Sequence, residues 1–230
     1  MTSELETARM YEATLTGTTP LLLHRDDVRW ADAIKAWQQA PENTKYSVSG
    51  DDRSPPWIWT GRIYHDDQFV TIASSNIMTM LREGGGMILV PGGKSGKTFK
   101  SQSQSGILTI DLNWALTNGG RQIPVEPIRA LVGEMDFRKH ESEAERLGFV
   151  LDMRRAAVGS KKHVRVRPRF DNWAATGLLG VTDPQITADV LLKILTLAGL
   201  YKGLCDWRPS EKKSPGPFGR FSASVKEVSL

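Results

Sequence analysis

The spacing of apolar and polar positions divides the chain into strands and helices. Residues 8 to 23 are rich in Thr and apolar side chains, with Tyr11, Ala13 and Leu15 on one side of a strand that Gly17 and Pro20 bend near its end. Asp26 or Asp27 caps a helix expected to run to about Ala40, with Trp30, Ile34 and Trp37 at helical spacing as core positions. Residues 41 to 60 are polar and turn-rich but contain Trp57 and Trp59, which predicts an ordered, locally packed loop. Strand-like runs at 62–65 and 68–72 flank Asp66 and Asp67 as a hairpin, and a short helix from about Ser74 to Arg82 ends at Gly84, Gly85 and Gly86.

Ile107 to Leu112 alternates as a strand, and a further strand fits Arg121 to Val125. Pro127 to Gly133 predicts a helical turn, and the mixed charges through Glu145 predict a solvated connection. Phe149–Arg155 and Lys162–Phe170 read as the strands of a long hairpin around Ala156–Ser160. In its second strand His163, Arg165, Arg167 and Arg169 share one face under period-two spacing, with Val164 and Val166 on the other. Trp173 to Val181 is another strand. Thr182, Asp183 and Pro184 then open a helix whose stripe is Ile186, Val190, Ile194 and Leu197, ended by Gly199, and Phe218 to Val228 alternates as a closing strand. This order predicts an α+β fold, most simply a ferredoxin-like βαββαβ core with both helices on one sheet face. It is expected to be one domain over residues 1–230, with long insertions at about 41–60 and 84–145 and a basic β-hairpin.

At 230 residues the chain can bury a substantial core without covalent staples, and its one cysteine, Cys205, excludes an internal disulfide or a cysteine-built metal site. The absence of a signal-like segment or a membrane-length apolar run leads to the expectation of a cytoplasmic protein without a membrane partner. The net charge of +4 is unevenly spread. Met1 to Asp67 carries seven Lys/Arg against eleven Asp/Glu, whereas Arg146 to Arg169 carries eight basic residues against Asp152 alone. A field of that sign attracts polyanions, so Arg154, Arg155, Lys161, Lys162, His163, Arg165, Arg167 and Arg169 are candidate nucleic-acid contacts.

A second cationic segment runs from Ala198 to Phe221. Gly203, Gly216 and Gly219 are interleaved there with Lys202, Arg208, Lys212, Lys213 and Arg220, a composition suited to bringing backbone amides close to phosphate. Trp207 and Phe218 add flat surfaces for stacking bases. Met87 to Thr98 imitates a phosphate-binding loop, but Pro91 stands where the first glycine is required and no apolar helical period follows. Lys94, Lys97 and Lys100 are therefore read as a flexible basic loop. The histidines His24, His65, His140 and His163 have no metal-ligand spacing, and no cofactor or metal is expected.

A first strand ending in Thr16-Gly-Thr-Thr-Pro-Leu21, together with Ala198-Gly-Leu-Tyr-Lys-Gly-Leu-Cys-Asp-Trp-Arg-Pro209 and Gly216-Pro-Phe-Gly-Arg-Phe221 before the last strand, resembles the RAMP superfamily of CRISPR RNA-binding proteins. The likeness is to backbone subunits that line up along guide RNA and to related phage proteins. It covers the two ends of the chain better than its middle. The glycines are more widely spaced than in a compact RAMP loop, and Glu211–Pro215 is inserted. The resemblance implies a non-catalytic binder of single-stranded RNA or DNA, RNA preferred, that forms a homo-oligomer or filament along the strand or joins CRISPR-like complex subunits. Two alternatives stand beside it. One is a RAMP-like ribonuclease in which His24 deprotonates a 2′-hydroxyl without metal; the other is a phage protein that imitates a CRISPR backbone subunit and binds host components.

Overall fold

The computed structural model describes residues 8–93, 96–158 and 161–229. In chain order its elements are β1 (Arg9–Gly17), β2 (Leu21–Leu22), α1 (Val28–Gln39), β3 (Tyr64–His65), β4 (Val70–Ala73), α2 (Ser74–Gly85), α3 (Lys100–Ser105), β5 (Ile107–Thr109), β6 (Asn113–Asn118) and β7 (Arg121–Gln122). They continue with α4 (Glu126–Arg129), α5 (Phe137–Arg146), β8 (Val150–Val158), β9 (Lys161–Phe170), β10 (Trp173–Val181), α6 (Ala188–Tyr201) and β11 (Phe221–Val228). Pro41–Tyr46 and Pro56–Arg62 form 3-10 turns. The fold is mixed α+β with antiparallel sheets, and the chain divides into two compact units. No helix among the described residues is long and apolar enough to cross a membrane.

The first unit takes in Met1–Leu21, Thr71–Gln122 and Asp171–Leu230 as far as they are described. Its strands lie in the order β11-β1-β10-β6-β4, with β5 also on β10 and β7 on β6. β1 pairs antiparallel with β10 and β11, placing Thr14 opposite both Thr176 and Ser224. The alternation seen in the sequence becomes two faces. Tyr11, Ala13 and Leu15 are buried, whereas Glu12 and Thr16 are exposed and Thr14 half-exposed. Trp114 and Trp173 lie on the buried side across the neighbouring strands, over Gly177 and Gly17.

The helices of this unit depart from expectation. α2, not the helix after Asp27, is packed with α6, closely enough that a Cβ on Gly84 would stand 2.5 Å from the Ile194 carbonyl oxygen. In α6 the cap is Thr187, whose hydroxyl accepts from the Val190 amide at 3.3 Å, and the buried residues are Leu191, Ile194, Leu195, Ala198 and Gly199. Gly199 does not end the helix. It lies beneath β11, where a Cβ would be 2.1 Å from the Phe221 carbonyl oxygen, and the helix runs on to Tyr201. The segment after Phe99, without apolar period, still forms the short α3, anchored by Ser103, which is fully buried against Gly85.

The second unit comprises Leu22–Val70 and Ile123–Phe170. β2, β9 and β8 form its sheet, and the Leu23 amide donates to the Pro168 oxygen at 3.1 Å. Trp59 meets Phe149 edge-on and Phe149 lies tilted against Phe170, at centroid distances of 5.8 and 5.1 Å, to make its centre. α1 has no buried residue, so Trp30, Ile34 and Trp37 are half-buried rather than core; Trp30 and Trp37 lean edge-on against buried Trp57. The charged stretch before Glu145, expected to be a solvated connection, is the helix α5. Asp136 caps it by accepting from the Arg138 amide, and His140 and Ala144 face inward. His140 accepts from Trp59 Nε1 at 3.2 Å on Nδ1, which leaves its Nε2–H to donate to the Glu134 oxygen at 2.9 Å.

Candidate nucleic-acid interface

The basic hairpin forms as its sequence predicts, with register Val150↔Arg169, Asp152↔Arg167, Arg154↔Arg165 and Ala156↔His163. Directly opposed residues share a face, so Arg154, Arg165, Arg167, Arg169 and His163 lie together with Asp152. Arg155 opposes Val164 on the other face. That other face is the one the core needs: Val166, Pro168 and Phe170 are buried. Burial of alternate apolar residues thus forces the arginines outward.

Two buried carboxylates hold those arginines in place. Asp152, 6 % exposed, accepts from Arg154 Nε at 2.6 Å and Nη2 at 3.0 Å, and from Arg169 Nη1 at 3.2 Å. Asp52, also 6 % exposed, reaches β9 from the loop before the second 3-10 turn. It accepts from Arg165 Nη1 and the Val166 amide, each at 3.2 Å, and from Arg62 Nη2 at 3.4 Å. The loop itself is fixed to β9 by Val164 N to Gly50 O at 2.8 Å and Asp52 N to Val164 O at 3.0 Å. Charge-assisted hydrogen bonds of this kind orient a guanidinium, and the cations outnumber the two acids beneath them.

Beside Arg165 opens a cleft of about 330 Å³ lined by α1, the Gly50–Asp52 loop, Ile58, Arg62 and His163. Hydrogen bonds from the Arg53 side chain keep the Asp51 carboxyl there below its usual range, outweighing its partial burial. His24 sits next to this region, and its Nε2 accepts from Arg62 Nη1. That ring nitrogen is therefore engaged with a guanidinium.

The glycine-rich segment belongs to the first unit. Its glycines serve the loop's own packing: a Cβ would fall 2.1 Å from the Trp207 oxygen at Gly216 and 2.1 Å from the Leu204 oxygen at Gly219. The amides are engaged as well, Gly203 N on Ala198 O at 2.9 Å, Gly216 N on Arg208 O at 3.2 Å and Gly219 N on Pro20 O at 2.8 Å. Trp207 lies over buried Phe218 with centroids 5.5 Å apart. Arg208 forms a two-pronged pair with Glu83 at 3.0 and 3.2 Å, Arg220 Nη1 donates to Leu200 O, and Lys202 is half-buried after the last helical turn. The exposed cations of this segment are Lys212 and Lys213; Lys97 and Lys100 are exposed in the same unit, and Lys94 lies outside the described residues. Lys161 and Lys162 belong to β9, but their side chains also lie outside what is described.

Among the described residues, the sheet face of the first unit opposite the Trp114 and Trp173 side carries Thr14, Thr16, Ala174, Thr176, Ala115, Thr117, Ser222 and Ser224 rather than aromatic rings, so it is no stacking platform of the RNA-recognition kind. The residues that sequence reasoning did not single out are Asp52 and Arg62. Nothing within a few positions of them points to Arg165, which is over a hundred residues from Asp52. Asp152 was visible as the lone acid of the basic segment. A scan against protein-family models found no matching family, and a search of curated proteins found no significant match.

Proposed function

We propose that the protein is a non-catalytic binder of single-stranded nucleic acid, RNA in preference to DNA, whose phosphates run along the arginine face of β8 and β9. The observation that carries this reading is the set of Arg154, Arg165, Arg167 and Arg169 on one hairpin face, two buried aspartates holding three of them in orientation. Guanidiniums at strand spacing offer a row of bidentate donors to a polyanion, and rigid placement lowers the entropy lost on binding.

A RAMP-type reading of the first unit is supported by its strand order. β11-β1-β10-β6, all antiparallel, with α2 ahead of β6 and α6 between β10 and β11, has the order of a βαββαβ ferredoxin-like core. Assembly of copies along one strand belongs to the same proposal, since an acidic N-terminal part and a basic hairpin suit head-to-tail contact.

The test is fluorescence anisotropy of a labelled 30-nucleotide RNA and its DNA counterpart with wild type and with Arg167→Glu/Arg169→Glu. The double reversal is expected to weaken binding to every sequence by at least tenfold, and Arg167→Gln/Arg169→Gln, which sets no new carboxylate against buried Asp152, to weaken it in the same direction, with far-UV circular dichroism reporting that each variant is folded. Equal affinity of a folded variant would remove this face as the track.

A further inference from the structure

The cleft beside Arg165 has a composition unlike the face next to it. Arg25, Arg62 and Arg165 line it with Asp26, Asp27, Asp51 and Asp52, so carboxylates outnumber guanidiniums. Asp27 is paired with Arg25, Asp51 with Arg53, and Asp52 with Arg62 and Arg165, so the cleft is close to neutral and offers a phosphate no excess of positive charge. One wall is apolar: Trp30, Ile34 and Ile58. The indole of Trp30 is held there, its Nε1 donating to Ile58 O at 3.0 Å and its ring lying against Gly61, where any Cβ would come within 2.2 Å of Nε1. The polar rim offers both signs. Arg165 presents guanidinium N–H groups, Asp26 an exposed carboxylate, and Gln38 an amide oxygen whose partner N–H is committed to Ser54 O at 2.9 Å. A volume of about 330 Å³ is at the small end of ligand sites.

A flat, neutral ring system with donors and acceptors on its edge meets all these conditions, whereas an anion meets only the guanidinium N–H groups and is not served by the apolar wall or the carboxylates. We propose that this cleft binds one nucleobase, stacked on the Trp30 side and hydrogen-bonded at its edge to the Arg165, Asp26 and Gln38 groups, with its phosphate left outside. The inference rests on the strand-binding reading for the source of the base, and the same chemistry would accept the base of a free nucleoside. Arg165 links the two surfaces, since its guanidinium lines the cleft and belongs to the arginine face.

Two measurements on the full chain test it. In the first, adenosine, guanosine, cytidine, uridine and inorganic phosphate are titrated separately, and the indole N–H resonance of Trp30 is followed by NMR. Ala31→Phe is the comparison, because Ala31 is exposed on α1 yet lines the cleft, so a larger side chain fills the space without entering a core. At least one nucleoside should shift the Trp30 signal, the variant should weaken that binding tenfold or more, and phosphate should leave it in place. In the second, a uridine-rich RNA carrying one 2-aminopurine should be quenched several-fold on binding wild type, by stacking on Trp30, and not on binding Ala31→Phe, identifying the strand as the source. A nucleoside response without this quenching supports the base site with free nucleoside as its ligand. A Trp30 shift with phosphate alone, no shift with any nucleoside at millimolar concentration, or nucleoside binding untouched by Ala31→Phe overturns the proposal. If the RNA still binds with steep salt dependence in that case, strand binding survives without the base site; if it does not bind, both fall.

Discussion

Replacing Asp52 with alanine takes away the acceptor for three donors at once: Arg165 Nη1, Arg62 Nη2 and the amide of fully buried Val166. Breaking a buried ion pair by removing one partner costs about 3–5 kcal/mol, chiefly because the remaining charge is left desolvated. Here the side chains of Arg62 and Arg165 are 16 % and 25 % exposed, so water relieves part of that cost and the lower end applies. The orphaned Val166 amide adds about 1 kcal/mol, giving about 4 kcal/mol for Asp52→Ala. Asp52→Asn keeps an acceptor for the amide and should cost about 1–2 kcal/mol. The neighbouring Asp51 is the control, since its ion-pair partner Arg53 is 47 % exposed and Asp51→Ala should cost under about 1 kcal/mol. Urea denaturation followed by tryptophan fluorescence reads all three. If Asp52→Ala falls within about 0.5 kcal/mol of wild type, or Asp51→Ala is the more damaging, the orienting role of the buried carboxylate is refuted.

Gly199→Ala should destabilise the first unit by about 2 kcal/mol, because overpacking against the Phe221 carbonyl, up to about 3 kcal/mol, exceeds the roughly 1 kcal/mol gained in helix propensity; a neutral or stabilising result in thermal unfolding would contradict the packing of α6 under β11. Burial lowers the His140 pKa below the 6.5 of an unfolded histidine, despite the opposing pull of the Glu134 oxygen and of the Glu134 and Asp136 charges. The unfolded chain therefore binds that proton first. The His140 contribution is complete above about pH 6.5 and is lost as the pH falls toward the lowered value, which denaturation midpoints between pH 7.5 and 5 would show for wild type and not for His140→Gln. Trypsin should cut first at exposed Lys212 and Lys213, and earlier still in Glu83→Gln, which weakens the tie to Arg208; cleavage no faster in Glu83→Gln than in wild type would contradict that pairing.

Strand alternation carried most of the fold into view. β10 coincides with its expected bounds, and β8 and β9 appear with their arginines outward, because period two and buried Val166 and Phe170 leave one arrangement. The helices were harder to read, since apolar spacing marks an amphipathic face without saying what covers it. Trp30 and Trp37 have the spacing of core residues but flank Trp57 at half burial, and α5 hides its inward side in the polar-looking His140 and in Ala144. Gly199 looked like a helix end by composition, whereas a strand crossing far along the chain requires it. At the candidate interface the arginines were legible and their support was not. Asp52 reaches Arg165 only through tertiary packing, and the glycines expected to cradle phosphate are consumed by close approaches within their own loop.

The direct test of the account is a salt titration of wild-type protein on single-stranded RNA. If four arginines of the β8–β9 face each neutralise a phosphate, the affinity should fall about 50-fold between 50 and 200 mM monovalent salt, with little dependence on sequence. Binding that is absent at 50 mM salt, or that is unchanged across the range, would contradict it.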